Sequence, residues 1–172
     1  AAFTAASALN MAEDKLFSGL KSFTGTRRRF ELKGEVSGVK VIDDYGHHPT
    51  EIIATLTAAK NLAQSGRVLV IFQPHRYSRT AAFSQQFSTA LSNADFTFLL
   101  EVYAASEKPI AGVSSLMIAR NMSQSKVRFE PSMLEVVSDI TKMAKSGDVI
   151  ITLGAGDVSS LGEPILQSLA DR

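Results

Sequence analysis

Apolar and polar residues alternate along the chain in rhythms that change from one segment to the next. Over residues 1–20 the apolar positions Phe3, Ala6, Leu9, Leu16, Phe17 and Leu20 recur at roughly helical spacing, with Gly19 near the end. This predicts one helix whose stripe needs a partner to bury it. Ser22-Phe23-Thr24-Gly25-Thr26 reads as a connector, and Arg27-Arg28-Arg29 follows it. Phe30–Val36 then alternates, Ser37-Gly38 is a two-residue hairpin signal, and Val39–Ile42 is the returning strand.

Beyond the hairpin the pattern predicts helices and strands in turn. Pro49 can open a helix over Thr50–Ala63, with Ile52, Ile53, Leu56, Ala59 and Leu62 on its apolar side. Arg67–Phe72 is a continuous apolar strand of the kind buried in parallel sheets. The polar loop Gln73–Thr80 precedes a helix to about Leu91, and Asp95–Leu100 is a further strand. Ser114–Met122 reads as a helix, Lys126–Phe129 as a short strand, and Ser132–Lys145 as a helix with Ser132 and Glu135 at capping-box spacing. Gly147–Leu153 is the last strand, followed by Gly154-Ala155-Gly156-Asp157 and a helix to about Leu169. Short links between alternating elements predict an α/β fold, a mostly parallel sheet with helices on both faces, entered through the β-hairpin.

Composition narrows the classes. A chain of 172 residues suits one domain with room for an appendage, and 45% hydrophobic with 20% charged residues suits a buried core. A net charge of +1 gives no argument for nucleic acid or an anionic membrane. The absence of cysteine excludes disulfides, thiolate metal sites and a cysteine nucleophile, and fits a reducing compartment. No apolar run approaches the roughly 18 residues of a membrane span. The chain opens in mid-helix without Met or a signal-peptide pattern, so it is expected to be a piece of something longer.

In a parallel sheet every strand's carboxyl end meets the same rim, which is where ligands bind. The first strand end offers Asp43, Asp44, Tyr45, His47 and His48; the next offers Gln73, His75, Arg76, Tyr77 and Arg79; later ones offer Glu101, Tyr103 and the Gly154–Asp157 loop. All three histidines fall in the first two loops. Either aspartate can act as an acid/base group or as the acceptor of a polar turn, and at most one is expected to face a ligand. His47 and His48 are adjacent and lack a third His or a Cys nearby, so a metal site is not expected. A substrate contact or a helix cap are their readings. Arg76 and Arg79, three apart at a helix start, suit a carboxylate or phosphate. Arg27–Arg29 is too short and lacks the aromatics of a nucleic-acid patch, which leaves a nucleotide contact or plain solvation. The Gly154-Ala155-Gly156-Asp157 loop is an incomplete phosphate fingerprint because Ser159 stands where Gly or Ala is needed, and it reads rather as a tight turn with Asp157 as cap. No G-x-x-x-x-G-K-[ST] phosphate loop, nucleophile elbow or zinc-protease motif occurs. The residues alone imply an α/β domain with a rim for a small anionic molecule, and a free-standing binding domain or a dinucleotide domain of an oxidoreductase are its rival forms.

Gly25-Thr26-Arg27-Arg28-Arg29-Phe30-Glu31, Asp43-Asp44-Tyr45-Gly46-His47-His48-Pro49-Thr50-Glu51-Ile52 and Phe72-Gln73-Pro74-His75-Arg76-Tyr77-Ser78-Arg79-Thr80, in this order, resemble the C-terminal domain of the Mur ligases. Glu101–Ala105 and Gly154–Asp157 are similar to later signatures of that family. The resemblance implies a Rossmann-like domain, with residues 1–25 as the tail helix and linker of a central ATPase domain and 26–172 as the ligase domain. It implies ATP-dependent joining of L-alanine to UDP-N-acetylmuramate through an acyl phosphate, in the bacterial cytoplasm, with Mg2+ and most phosphate contacts supplied by the central domain. Tyr45, His47, Arg76 and Arg79 would face the amino acid and muramoyl substrate, and Arg29 and Asp44 would face ATP. No residue of this stretch alone would be catalytic, and the isolated chain is expected to be inactive.

Overall fold

A computed structural model describes residues 2–23 and 25–172. Ala1, at the start of the expected first helix, and Thr24, in the expected connector, lie outside them. The six-stranded sheet has the order β1-β2-β6-β3-β4-β5, built from Glu31–Val36, Val39–Asp44, Val68–Phe72, Phe96–Leu99, Val127–Phe129 and Val149–Leu153 numbered along the chain. Only the β1–β2 pair is antiparallel. Ser37 and Gly38 both have positive φ, 52° and 75°, as a turn matched to strand twist requires.

Side chains along the central strands sort by parity. Ile42, Val68, Val70, Phe72, Ile151 and Leu153 face one layer, made with Ile52 and Leu56 of α3 (Pro49–Ala63), Phe87 and Leu91 of α4 (Tyr77–Leu91) and Ile118 of α5 (Leu116–Ala119). Val41, Leu69, Ile71 and Ile150 face the other, with Val136 and Ile140 of α6 (Met133–Met143) and Ile165 and Leu169 of α7 (Gly162–Ala170). Every residue of β3 and β6 is buried. Each large apolar side chain so enclosed contributes roughly 1.5–3 kcal/mol relative to exposure, which explains why these strands carry uninterrupted apolar runs. After β3 the chain leaves over the first layer, and after its neighbour β6 it leaves over the second. Crevices therefore open at the carboxyl end of β6, the switch point where open α/β sheets take ligands.

Some expected elements differ. In place of one expected helix there are two, α1 (Ala2–Ala8) and α2 (Glu13–Ser22), because Asn10 turns the chain with φ 55°. Gly19 lies in the last turn of α2, near its end as expected. The helix expected over 114–122 is helical only at 116–119. Ser132 caps α6 through the Glu135 N–H at 3.2 Å, but the Ser132 N–H goes to Glu130 (3.1 Å), so the box is half formed. Among the described residues no helix is long and apolar enough to cross a membrane.

Candidate functional site at the carboxyl rim of the sheet

β2 ends in two aspartates, and the fold uses both internally. Asp43 is 2% exposed; it accepts from the Thr152 hydroxyl at 2.8 Å and pairs with Arg28 Nε at 3.2 Å. Asp44 accepts the Phe30 N–H at 2.7 Å and the Gly46 N–H at 2.8 Å, so it ties the entry to β1 to the loop after β2. A Cβ at Gly46 would stand 2.8 Å from that carboxylate, so glycine is needed where the loop folds back onto Asp44. With Asp43 and Asp44 both buried and hydrogen-bonded, neither is placed as a general acid or base. They hold the rim together.

Of the two adjacent histidines, one serves the helix and one the rim. His48 is the N-cap of α3, its Nδ1 receiving the Thr50 N–H at 3.4 Å, while Glu51 takes the backbone N–H groups of His47 (2.9 Å) and His48 (3.1 Å). Those contacts, with a nearby imidazole and Arg29, hold Glu51 below the usual carboxylate range against the opposing effect of its burial, which is the largest single influence. His47 is half-buried, its Nδ1 3.0 Å from the Tyr45 carbonyl and 3.7 Å from Glu51 Oε2.

From His47 a row of rings crosses the rim. Tyr45 and His47 meet edge to face with centroids 5.3 Å apart, His47 and His75 lie 5.9 Å apart, and His75 stacks on Tyr103 at 5.6 Å with 15° between planes. Arg29 lies over the Tyr45 ring at 5.5 Å at one end, and Arg79 approaches His75 Nδ1 at 3.4 Å at the other. Tyr45, His47, Arg79 and Arg29 are thus brought into one surface. Arg76, next to His75, is exposed there and makes no ion pair among the described residues. Burial first, then Arg79, His47 and Arg76, push the His75 imidazole below its ordinary value. It is therefore neutral at neutral pH, with Nδ1 free to accept from Arg79.

Two loops on either side of β6 can meet this way only because β6 ends in glycines. Gly154 has φ 144°, and a Cβ on it would come 2.6 Å from the Gln73 carbonyl. A Cβ on Gly156 would stand 2.2 Å from Gln73 Oε1 and 2.8 Å from the Tyr103 ring. The expected role of Asp157 as a helix cap is not observed. Its Oδ1 accepts from Gln73 Nε2 at 2.6 Å, and the segment Asp157–Leu161 is a 3-10 turn without a side-chain cap. Gln73 Oε1 meanwhile takes the Val158 N–H at 3.1 Å, so one amide latches β3 to the glycine loop.

The arginine triplet divides in a way that composition could not show. Arg28 points inward: besides Asp43 it donates to the carbonyls of Gly154 (2.6 Å) and Gly156 (3.2 Å) and lies 4.9 Å from the Tyr45 ring centre. Arg29 is exposed and reaches Glu51 only at 3.8 Å. Sequence reasoning missed Arg28 as the hub of the rim, since nothing distinguishes it from its two neighbours until the glycine carbonyls are placed around it. Among the described residues no cluster of three His, Asp or Glu could hold a metal ion.

Comparison with known proteins is consistent along the whole chain. The family described as "Mur ligase, glutamate ligase domain" matches residues 28–156. A UDP-N-acetylmuramate–L-alanine ligase of Mycolicibacterium smegmatis is 48% identical over 98% of this chain and 35% of its own length. One of Acidobacterium capsulatum is 45% identical over 100% of this chain and 37% of its own. The chain therefore spans about a third of the length of the curated relatives it matches. Among solved structures, UDP-N-acetylmuramate-alanine ligase of Thermotoga maritima superposes with a TM-score of 0.77 at 26% identity, over 96% of this chain and 35% of that one. The match also holds where the sequence departs further: a murein peptide ligase of Psychrobacter arcticus gives a TM-score of 0.72 at 25% identity, over 99% of this chain and 35% of that one.

Proposed function

Since this chain belongs to the Mur ligase family, we propose that it is the amino-acid-facing domain of an ATP-dependent ligase that joins L-alanine to UDP-N-acetylmuramate in peptidoglycan precursor synthesis. Residues 26–172 form that domain, and 1–25 are the tail and linker of the ATPase domain before it. The observation that carries the reading is the rim itself, where a row of rings, Tyr45–His47–His75, ends at Arg79, with exposed Arg76 next to His75, beside the glycine loop. An amino acid that attacks through its amine must be held by its other end. Two guanidiniums on one helix start can hold a carboxylate while the rings bound the space around the amine.

The reaction activates the muramoyl carboxylate as an acyl phosphate, and the amine of alanine then displaces phosphate to form the amide. Neutral His75 and half-buried His47 border the place where that amine must be unprotonated to attack. Arg29, exposed beside Tyr45, faces ATP, and Asp44 belongs to the same side as the anchor that holds the Phe30 backbone and hence the loop bearing Arg29. Mg2+ and the phosphate loop belong to the rest of the full-length enzyme, as does most of the UDP-sugar site. Closure of this domain over the ATPase domain would keep water from the acyl phosphate. Relatives nearly three times as long as this chain favour this reading over a free-standing binding module.

The test is steady-state kinetics of the full-length ligase. Arg76→Ala raises the KM for L-alanine far more than the KM for ATP; an equal rise in both overturns the carboxylate role.

A further inference from the structure

Arg76 sits in a backbone conformation that an arginine rarely adopts, φ 76° and ψ 136°, immediately before α4. It caps that helix without a side-chain hydrogen bond of its own. Something else must hold it there, and the loop after β4 does so from both sides. On the upstream side the Arg76 N–H donates to the Tyr103 carbonyl (2.8 Å) and the Tyr103 N–H to the Pro74 carbonyl (2.8 Å), which extends the parallel pairing of β3 and β4 past their ends. On the downstream side Glu107 supplies the missing cap. Its Oε2 accepts the Ser78 N–H at 3.0 Å and its Oε1 accepts the Ser78 hydroxyl at 2.6 Å. The same loop contains two more non-glycine residues with positive φ, Ala105 (48°) and Ser106 (72°), which turn the chain back toward α4.

We propose that Glu107 is a positioning residue for the amino-acid site: by capping α4 across the rim it fixes Arg76 in its left-handed conformation and so sets where the guanidinium stands. The inference rests on the reading that Arg76 holds the substrate carboxylate. An ordinary N-cap has negative φ. Relaxation of Arg76 toward that value rotates its Cα–Cβ bond relative to the helix axis and carries the guanidinium off the rim. The Ser78 hydroxyl and amide, with Arg76 nearby, hold the Glu107 carboxyl below its usual range, so the cap is in place throughout the neutral range.

The test combines the chain with the full-length ligase. In the 172-residue chain, Glu107→Ala is expected to speed amide hydrogen exchange at Ser78 and Arg76 while the β3 and β6 amides keep their protection. Unchanged exchange at Arg76 overturns the proposal. In the full-length enzyme, Glu107→Ala is expected to raise the KM for L-alanine about ten-fold with kcat and the ATP KM within about two-fold, since misplacement of a substrate anchor costs on this order or more. Glu107→Gln, which keeps an acceptor oxygen, should restore part of the loss. In an Arg76→Ala background the Glu107→Ala change should add nothing; additive effects, or a shared shift in both KM values, overturn the proposal. If Arg76→Ala alone leaves the alanine KM unchanged, the carboxylate reading fails instead, and the exchange result still reports on the clamp.

Discussion

Arg28 and Arg29 are neighbours of the same type, and the structure gives them very different energies. The Arg28 side chain is 27% exposed and faces Asp43, whose side chain is 3% exposed. Truncation to alanine removes the Asp43 contact at 3.2 Å and the donors to the Gly154 and Gly156 carbonyls. It leaves a buried carboxylate with only the Thr152 hydroxyl. Breaking a fully buried pair by removing one partner costs about 3–5 kcal/mol. Here the space opens partly to solvent, which can rehydrate Asp43 and the carbonyls, so the expected cost is lower, about 2–3 kcal/mol. For a chain of this size that is a fall in Tm of roughly 5–10 °C. Arg29 is half exposed and meets Glu51 at 3.8 Å, so Arg29→Ala should cost less than about 0.5 kcal/mol. The assay is urea unfolding of the 172-residue chain followed by circular dichroism, with unchanged m-values as the check that the end states are comparable. A cycle with Asp43→Asn should give a coupling of about 1 kcal/mol or more between Arg28 and Asp43. Equal costs for the two arginines would refute the assignment of Arg28 as the hub.

Other expectations follow from single features. Thr97 is fully buried in β4 with its hydroxyl unpaired among the described residues; Thr97→Val should raise stability by about 1 kcal/mol in the same urea assay. Ser106 is exposed with φ 72°, so backbone strain decides its substitutions: Ser106→Gly should be neutral or stabilising by about 0.5 kcal/mol and Ser106→Val destabilising by about 1–2 kcal/mol, read as opposite Tm shifts. Burial alone would raise the Asp148 carboxyl, yet the Arg67 guanidinium (2.6 Å) and the Arg67 and Lys145 amides leave it below its ordinary value. Its contribution is complete above the unfolded value near 3.8 and is lost as pH falls through the lower folded value. Asp148→Asn should therefore flatten the acid limb of stability below about pH 4, as measured by unfolding at stepped pH.

How far the sequence disclosed the molecule depended on the range of the interaction. The hairpin at Ser37-Gly38 and the apolar runs of β3 and β6 were legible because local backbone preference and burial on both faces leave a mark on adjacent residues. The rim was legible because a parallel sheet sends every strand's carboxyl end the same way, which puts His47 and His75 on one rim. The break near Asn10 was not, since the apolar stripe runs through it at nearly helical spacing. Nor was the division of labour within Arg27–Arg29, or the diversion of Asp157 to Gln73, because both are decided by partners on distant segments: Gly154 in one case and the end of β3 in the other.

Those long-range contacts share a direction. Arg28 ties the hairpin to the glycine loop, Gln73 ties β3 to it, and Glu107 ties the loop after β4 to α4. Two of them stand with an exposed arginine nearby: Arg29 follows Arg28, and Arg76 lies two residues before the Ser78 that Glu107 holds. The pairing of an inward holder with an outward neighbour explains why the rim carries so many charged and aromatic residues while so few are free to touch a ligand. The two aspartates at the end of β2 are likewise committed to contacts within the fold. On the ligase role proposed above, a surface that holds one substrate by its carboxylate commits its acids to the holders, and activation of the second substrate falls to the domain it closes against.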